Sequence, residues 1–156
     1  MRRVVVTGLG TINPLGNNVE SSWNSLINSK SGISTITKFQ VDNYPCKIAG
    51  SIDDTNLNNE IISNRDQRKI DRFITLGLIA AEEAIKDSGF VSGEESSLRS
   101  GVMVGSGIGG LDTIYKNSSI LDNKGIKKIS PFFIPSSLIN LLSGHISIKY
   151  NLKGPN

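Results

Sequence analysis

The chain has 156 residues, enough for one domain with its own core, and 37% of them are hydrophobic against 20% charged. That is the balance of an ordinary globular protein rather than a disordered one. Seventeen basic and 14 acidic residues leave a formal charge of +3, too weak to argue for nucleic acid but compatible with an acidic partner.

The start, MRRVVVTGLG, has a basic front but only three consecutive valines, so it does not read as a signal peptide. No apolar run approaches the ~20 residues of a membrane helix. One cysteine, Cys46, excludes an intrachain disulfide and fits a reducing, cytoplasmic setting. Val4 to Val6 read as a buried strand that leaves into the glycine turn Thr7-Gly8-Leu9-Gly10. Asn17, with Glu20 three residues on, resembles a capping box. Val19, Trp23, Leu26 and Ile27 then share one helical face that ends at Ser31-Gly32. From Ile33 to Asn59 the chain reads as irregular, with a possible strand near Lys47 to Gly50.

The strongest periodicity starts at Asp66. Ile70, Phe73, Ile74, Gly77, Leu78, Ala81, Ala84 and Ile85 form a continuous stripe. Gly77 and the alanines would admit a close neighbour, Glu82 and Lys86 are spaced to pair, and Gly89 is a natural stop. A polar loop is expected next, then a second buried strand at Val102-Met103-Val104. Leu111, Ile114, Tyr115, Ser118 and Leu121 predict a helix that stops before Gly125. Pro135 can open another helix, with Leu138, Ile139, Leu142 and Ile146 on its buried face, and NLKGPN at 151–156 reads as a turn. The alternation of strand and helix indicates an α/β class with a partly parallel sheet. Few strands for so much helix suggest an incomplete domain.

Gly105, Gly107 and Gly110 in GVMVGSGIGGLD have the G-x-G-x-x-G spacing of a dinucleotide-binding turn. That chemistry needs a strand before, a helix after and an acid about 20 residues on, at the end of a following strand. Asp122 has the distance but lies at a helix end in ILDNKGIKK. The pattern therefore fails its third requirement, and the glycines read instead as packing or turn residues.

Five blocks carry a family resemblance: VVVTGLG at 4–10, QRKIDRF at 67–73, GSGIGGL at 105–111, ISPFFIPSS at 129–137 and SGHISIKYNLKGPN at 143–156. They resemble β-ketoacyl-acyl carrier protein synthases, nearest to the type II condensing enzyme of bacterial fatty acid synthesis. The resemblance implies the thiolase-like fold, two stacked α/β halves in a homodimer, of which residues 1–156 form most of the first half. Such a half should expose a broad apolar face. In that family the nucleophilic cysteine follows the GPN turn, and two histidines and a lysine come from the second half. The expectation is thus a chain that stops before its nucleophile and holds no catalytic residue of its own. Cys46 and the single histidine, His145, then read as structural or incidental.

The resemblance further implies that Ile108 lines and gates an acyl pocket, that Phe133 lines its far end, and that Leu111 is a weaker contributor. It matches Arg65, Arg68, Lys69, Lys127 and Lys128, with Lys124 nearby, to a basic surface that docks acyl carrier protein in acyl and malonyl forms. No cofactor, metal, nucleic acid or membrane is implied. The readings set beside this one are a non-catalytic remnant or interaction module, and a dinucleotide-binding oxidoreductase.

Overall fold

The structure, a computed structural model, describes residues 3–54 and 61–156, the side chains of Asn64 and Arg65 apart. The chain forms two compact units, one of Met1–Asn58 with Ile79–Phe90, the other of Asn59–Leu78 with Val91–Asn156.

In the first unit, helix α1 spans Val19–Ile27. Its cap is Asn18 rather than Asn17: Asn18 Oδ1 accepts from Ser21 N–H at 2.7 Å, and Ser21 Oγ accepts from Asn18 N–H. Serine thus plays the reciprocal part expected of Glu20. Strands β1 (Ile33–Thr35) and β2 (Ile48–Gly50) pair antiparallel, Ile33 opposite Gly50. β2 matches the expected strand. β1 falls in a stretch read as irregular, because three residues are too short to show a period.

The C-terminal part of a 17-residue helix completes this unit. The glycine turn lies directly on it: a Cβ on Gly8 would collide with the Ala84 carbonyl, and one on Gly10 with the Ala80 carbonyl. Asp87 and Glu83 project from the same helix. Asp87 Oδ2 accepts Leu9 N–H at 2.8 Å, Glu83 Oε2 accepts Thr11 N–H at 2.9 Å, and Glu83 Oε1 accepts Val19 N–H at 2.8 Å. The turn's backbone donors are thus met by helix carboxylates instead of a ladder.

The second unit opens with α2 (Asn64–Gln67), capped by Ser63 Oγ, which accepts Asp66 N–H at 3.1 Å. The long helix α3 (Arg72–Ser88) follows after a break, although a single helix from Asp66 was expected. Asp71 causes the restart: its Oδ1 accepts Phe73 N–H at 3.2 Å, a cap interaction that competes with helix continuation. Ile74 is fully buried and Leu78 nearly so. In the helix's C-terminal part, Glu82 and Lys86 pair at 3.2 Å, and the helix ends before Gly89 at φ +63°.

The expected polar loop contains helix α4 (Glu94–Arg99), started where Ser96 Oγ accepts Gly93 N–H at 2.7 Å. Helix α5 (Leu111–Lys124) ends at Gly125 as expected. The helix expected from Pro135 is two: α6 (Phe133–Ser137), with Pro135 at its third position, and α7 (Leu141–Tyr150). Leu142 and Ile146 are buried as expected, whereas Leu138 and Ile139 lie in or beside the break and are exposed. Leu142 fills the space that Gly77 leaves, where a Cβ would sit 2.5 Å from it. Ile62, Ile74, Leu78, Val102, Leu142, Ile146 and Leu152 form this unit's core. The final turn is stitched to α4: Lys153 N–H donates to Ser97 O at 2.8 Å, Gly154 N–H to Ser100 O at 2.9 Å, and Val102 N–H to Pro155 O at 2.9 Å.

Two expectations are corrected. Val4–Val6 and Val102–Val104 are not ladder strands, and among the described residues the sheet is the antiparallel β1–β2 pair, not a partly parallel one. Val4 is 94% and Met103 99% exposed. Both runs have strand composition, but a strand exists only with a partner, and the described residues offer none. Trp23, Leu26 and Ile27 on α1 are also more than half exposed, as expected of a fold half with a broad apolar face.

Candidate functional site

The basic residues and the glycine turn belong to the second unit. Arg68 caps the end of α2 and is exposed. Lys69 Nζ bonds Asp66 Oδ1 at 2.7 Å and lies 5.9 Å above the ring centre of Phe132. Phe132 follows a single 3-10 turn, Ile126–Lys128, that carries Lys127 and Lys128 into solvent. The structure therefore links one basic cluster to the segment that carries the other, through a cation–π contact. Lys124 is exposed at the last position of α5. The side chain of Arg65 lies outside the described residues.

Ile108 is 64% exposed in the glycine turn, Leu111 is exposed at the first position of α5, and Phe133 is half-buried at the start of α6. The glycines divide into two kinds. Gly105 and Gly107 have open space where a Cβ would stand. Gly109, at φ +70°, and Gly110 lie against α6, where a Cβ on either would be 2.7 Å from a carbonyl, of Ser137 and Ser136 respectively. Gly110 N–H donates to Ser137 O at 3.0 Å.

Asp71 binds at the start of α5. Its Oδ2 accepts Thr113 N–H at 3.1 Å and Thr113 O–H at 2.6 Å. One buried carboxylate thus caps two helices, α3 through Oδ1 and α5 through Oδ2. Nothing singles out Asp71 in the sequence except its place as an acid before an apolar stripe. The consequence for the dinucleotide reading is direct. That reading needs N–H groups at the helix start for a pyrophosphate. Here Gly110 and Thr113 already donate to Ser137 and Asp71, and no strand precedes the turn.

A cavity of about 300 Å³ adjoins the Lys69–Asp66 pair, walled by Ile61, Ile62, Ile70, Leu78 and Ile148, with Lys149 and His145 also around it. Burial pushes the His145 imidazole below its usual pKa, and the Asp66 carboxylate opposes that in part. Cys46, in the first unit, is exposed, and its thiol donates to Ile48 O at 3.3 Å. Among the described residues no group of His, Cys, Asp and Glu could hold a metal ion, and no helix is long and apolar enough to cross a membrane.

Residues 1–156 match the family model of the β-ketoacyl synthase N-terminal domain. The chain is 47% identical over 155 residues to a 3-oxoacyl-[acyl-carrier-protein] synthase 2 of Vibrio harveyi, across 99% of this chain and 37% of that protein. Among solved structures, it superposes with TM-score 0.82 at 24% identity on the ishigamide ketosynthase/chain length factor, covering 99% of this chain and 38% of that one. A complex of a type II polyketide synthase acyl-carrier protein with its ketosynthase contains a chain that matches at TM-score 0.70 and 28% identity, covering 98% of this chain and 40% of that one. This chain belongs to the β-ketoacyl synthase family, as its N-terminal domain. Its fold is the corresponding part of the thiolase-like ketosynthase fold, and it spans 37% of the length of the Vibrio harveyi relative.

Proposed function

We propose that this chain supplies the carrier-docking face and part of the acyl-pocket wall of a 3-oxoacyl-[acyl-carrier-protein] synthase. The observation that carries the reading is 47% identity over nearly the whole chain to an enzyme so named. In that reaction an acyl group passes from the carrier thioester to an enzyme cysteine, which releases the carrier thiol. Malonyl-carrier protein then loses carbon dioxide. The resulting carbanion attacks the acyl carbonyl, the cysteine thiolate departs, and the 3-oxoacyl product stays on the second carrier.

In this reading Arg65, Arg68, Lys69, Lys127 and Lys128 receive the acidic carrier, while Ile108, Phe133 and Leu111 face the acyl chain. Glycines 105 and 107, with open space around them, suit a turn that admits and releases that chain. The enzyme works as a cytoplasmic homodimer without a cofactor. Neither Cys46 nor His145 takes part in the chemistry: Cys46 is solvent-exposed on a loop, and His145, its pKa lowered by burial, lies beside an isoleucine-walled cavity. The test is incubation of the 156-residue chain with acyl-carrier protein, followed by intact-mass spectrometry. No acyl adduct is expected, and an acyl group on Cys46 would overturn the assignment.

A further inference from the structure

We propose that Asp71 is a positioning residue that couples the basic turn before α3 to the Ile108 turn before α5, so that a carrier protein engaged at the first steadies the second. This inference rests on the docking reading above.

Two independent ties join these turns. The first is Asp71 itself, two residues from Lys69 and only 8% exposed. Its Oδ1 fixes the start of α3, and its Oδ2 takes both donors of Thr113, three residues beyond Gly110. The second runs through α6. Lys69 stacks over Phe132, Phe132 O accepts from Ser136 Oγ at 2.7 Å, and Ser137 O accepts from Gly110 N–H. Upstream of these ties the turn is held by Ser106 Oγ, which accepts Gly109 N–H at 3.1 Å, while Gly105 and Gly107 have no neighbour within 4 Å of a Cβ position. Ile108 directly precedes the Gly109–Gly110 pair packed against α6, so what holds that pair bears on the position of Ile108.

A carboxylate shared by two helix N-termini cannot shift toward one without loosening the other. A partner that orders Arg68 and Lys69 removes motion from Asp71, and through it from the start of α5. Such coupling requires no large displacement, only a shared cost of ordering.

Hydrogen–deuterium exchange of the 156-residue chain tests this, with a bacterial acyl carrier protein as the probe. On carrier binding, amides of 105–113 should slow about fivefold or more. In Asp71→Asn and in Thr113→Val, where only the tie through α6 remains, the slowing should fall by about half or more, while the carrier Kd stays within about threefold of the parent. Thr113→Ser keeps both donors and should retain the full effect, which a general packing defect would not allow. Carrier binding without slowing at 105–113, or full slowing in Thr113→Val, overturns the coupling and leaves the docking reading intact. Absence of carrier binding in the parent chain overturns the docking reading, and the coupling with it.

Discussion

The Glu83 carboxylate accepts the backbone N–H of Val19 at 2.8 Å, and its other oxygen accepts that of Thr11 at 2.9 Å. An acid from the C-terminal part of α3 therefore sits at the first residue of α1, where the helix dipole favours negative charge. Glu83→Ala strands two backbone donors and should cost about 1–3 kcal/mol. Glu83→Gln keeps one acceptor and should cost about half as much. Urea unfolding measures both, and an unchanged midpoint in Glu83→Ala would show that the carboxylate does not hold the turn.

Gly110→Ala and Gly107→Ala separate the two kinds of glycine. At Gly110 a methyl group would stand 2.7 Å from Ser136 O, so α6 or the turn must move, at about 1–3 kcal/mol. At Gly107 there is open space, and the change should stay within about 0.5 kcal/mol. Thermal unfolding of the pair decides it: equal losses would show that spacing, not contact, governs the motif.

Reversal of charge at the proposed docking turn should act through attraction over distance. Arg68→Glu combined with Lys69→Glu should weaken carrier binding about tenfold or more at low salt, mostly through slower association. The difference should shrink as salt rises. Binding kinetics at two ionic strengths measure this, and equal affinity at low salt would remove the docking surface.

The chain's single histidine permits an unambiguous titration. Burial lowers the His145 pKa in the folded state, so the unfolded chain binds more protons in the window between that value and the ordinary 6.5. Stability should therefore rise with pH through that window and be lost as pH falls through it. Asp66, Lys69 and Lys149 line the same cavity, and of these Asp66 raises the pKa. Asp66→Asn should push it lower still, and His145→Gln should flatten the pH dependence. Proton NMR of the imidazole follows the first, and urea midpoints across pH 5 to 7 the second. An upward move in Asp66→Asn would contradict the assigned cause.

Helices were legible wherever periodicity and a stop signal agreed. The stretch from Leu111 to Gly125 and the pair Glu82 and Lys86 show this. Among the short elements β2 was read, but α4 and β1, six and three residues long, were not. The break before α3 was hidden because Ile70 continues the apolar stripe while Asp71 restarts the helix. The valine runs misled for a different reason. Composition marks a segment as suited to a sheet, but pairing depends on residues elsewhere in a chain. At the candidate site, the five blocks identified the family. The Lys69–Phe132 contact and the double cap by Asp71 join residues 63 and 42 positions apart, and no local pattern encodes either.

Asp71 also explains why a G-x-G-x-x-G spacing can occur here without nucleotide chemistry. A tethered carboxylate presents itself to the α5 amides at an effective concentration of about millimolar or higher. A free phosphate must outcompete that permanent occupant and then leave the displaced carboxylate oxygen buried without its Thr113 donors. The start of α5 is in this sense a receptor that carries its own ligand, and its occupancy is inherited with the fold rather than set by metabolite levels.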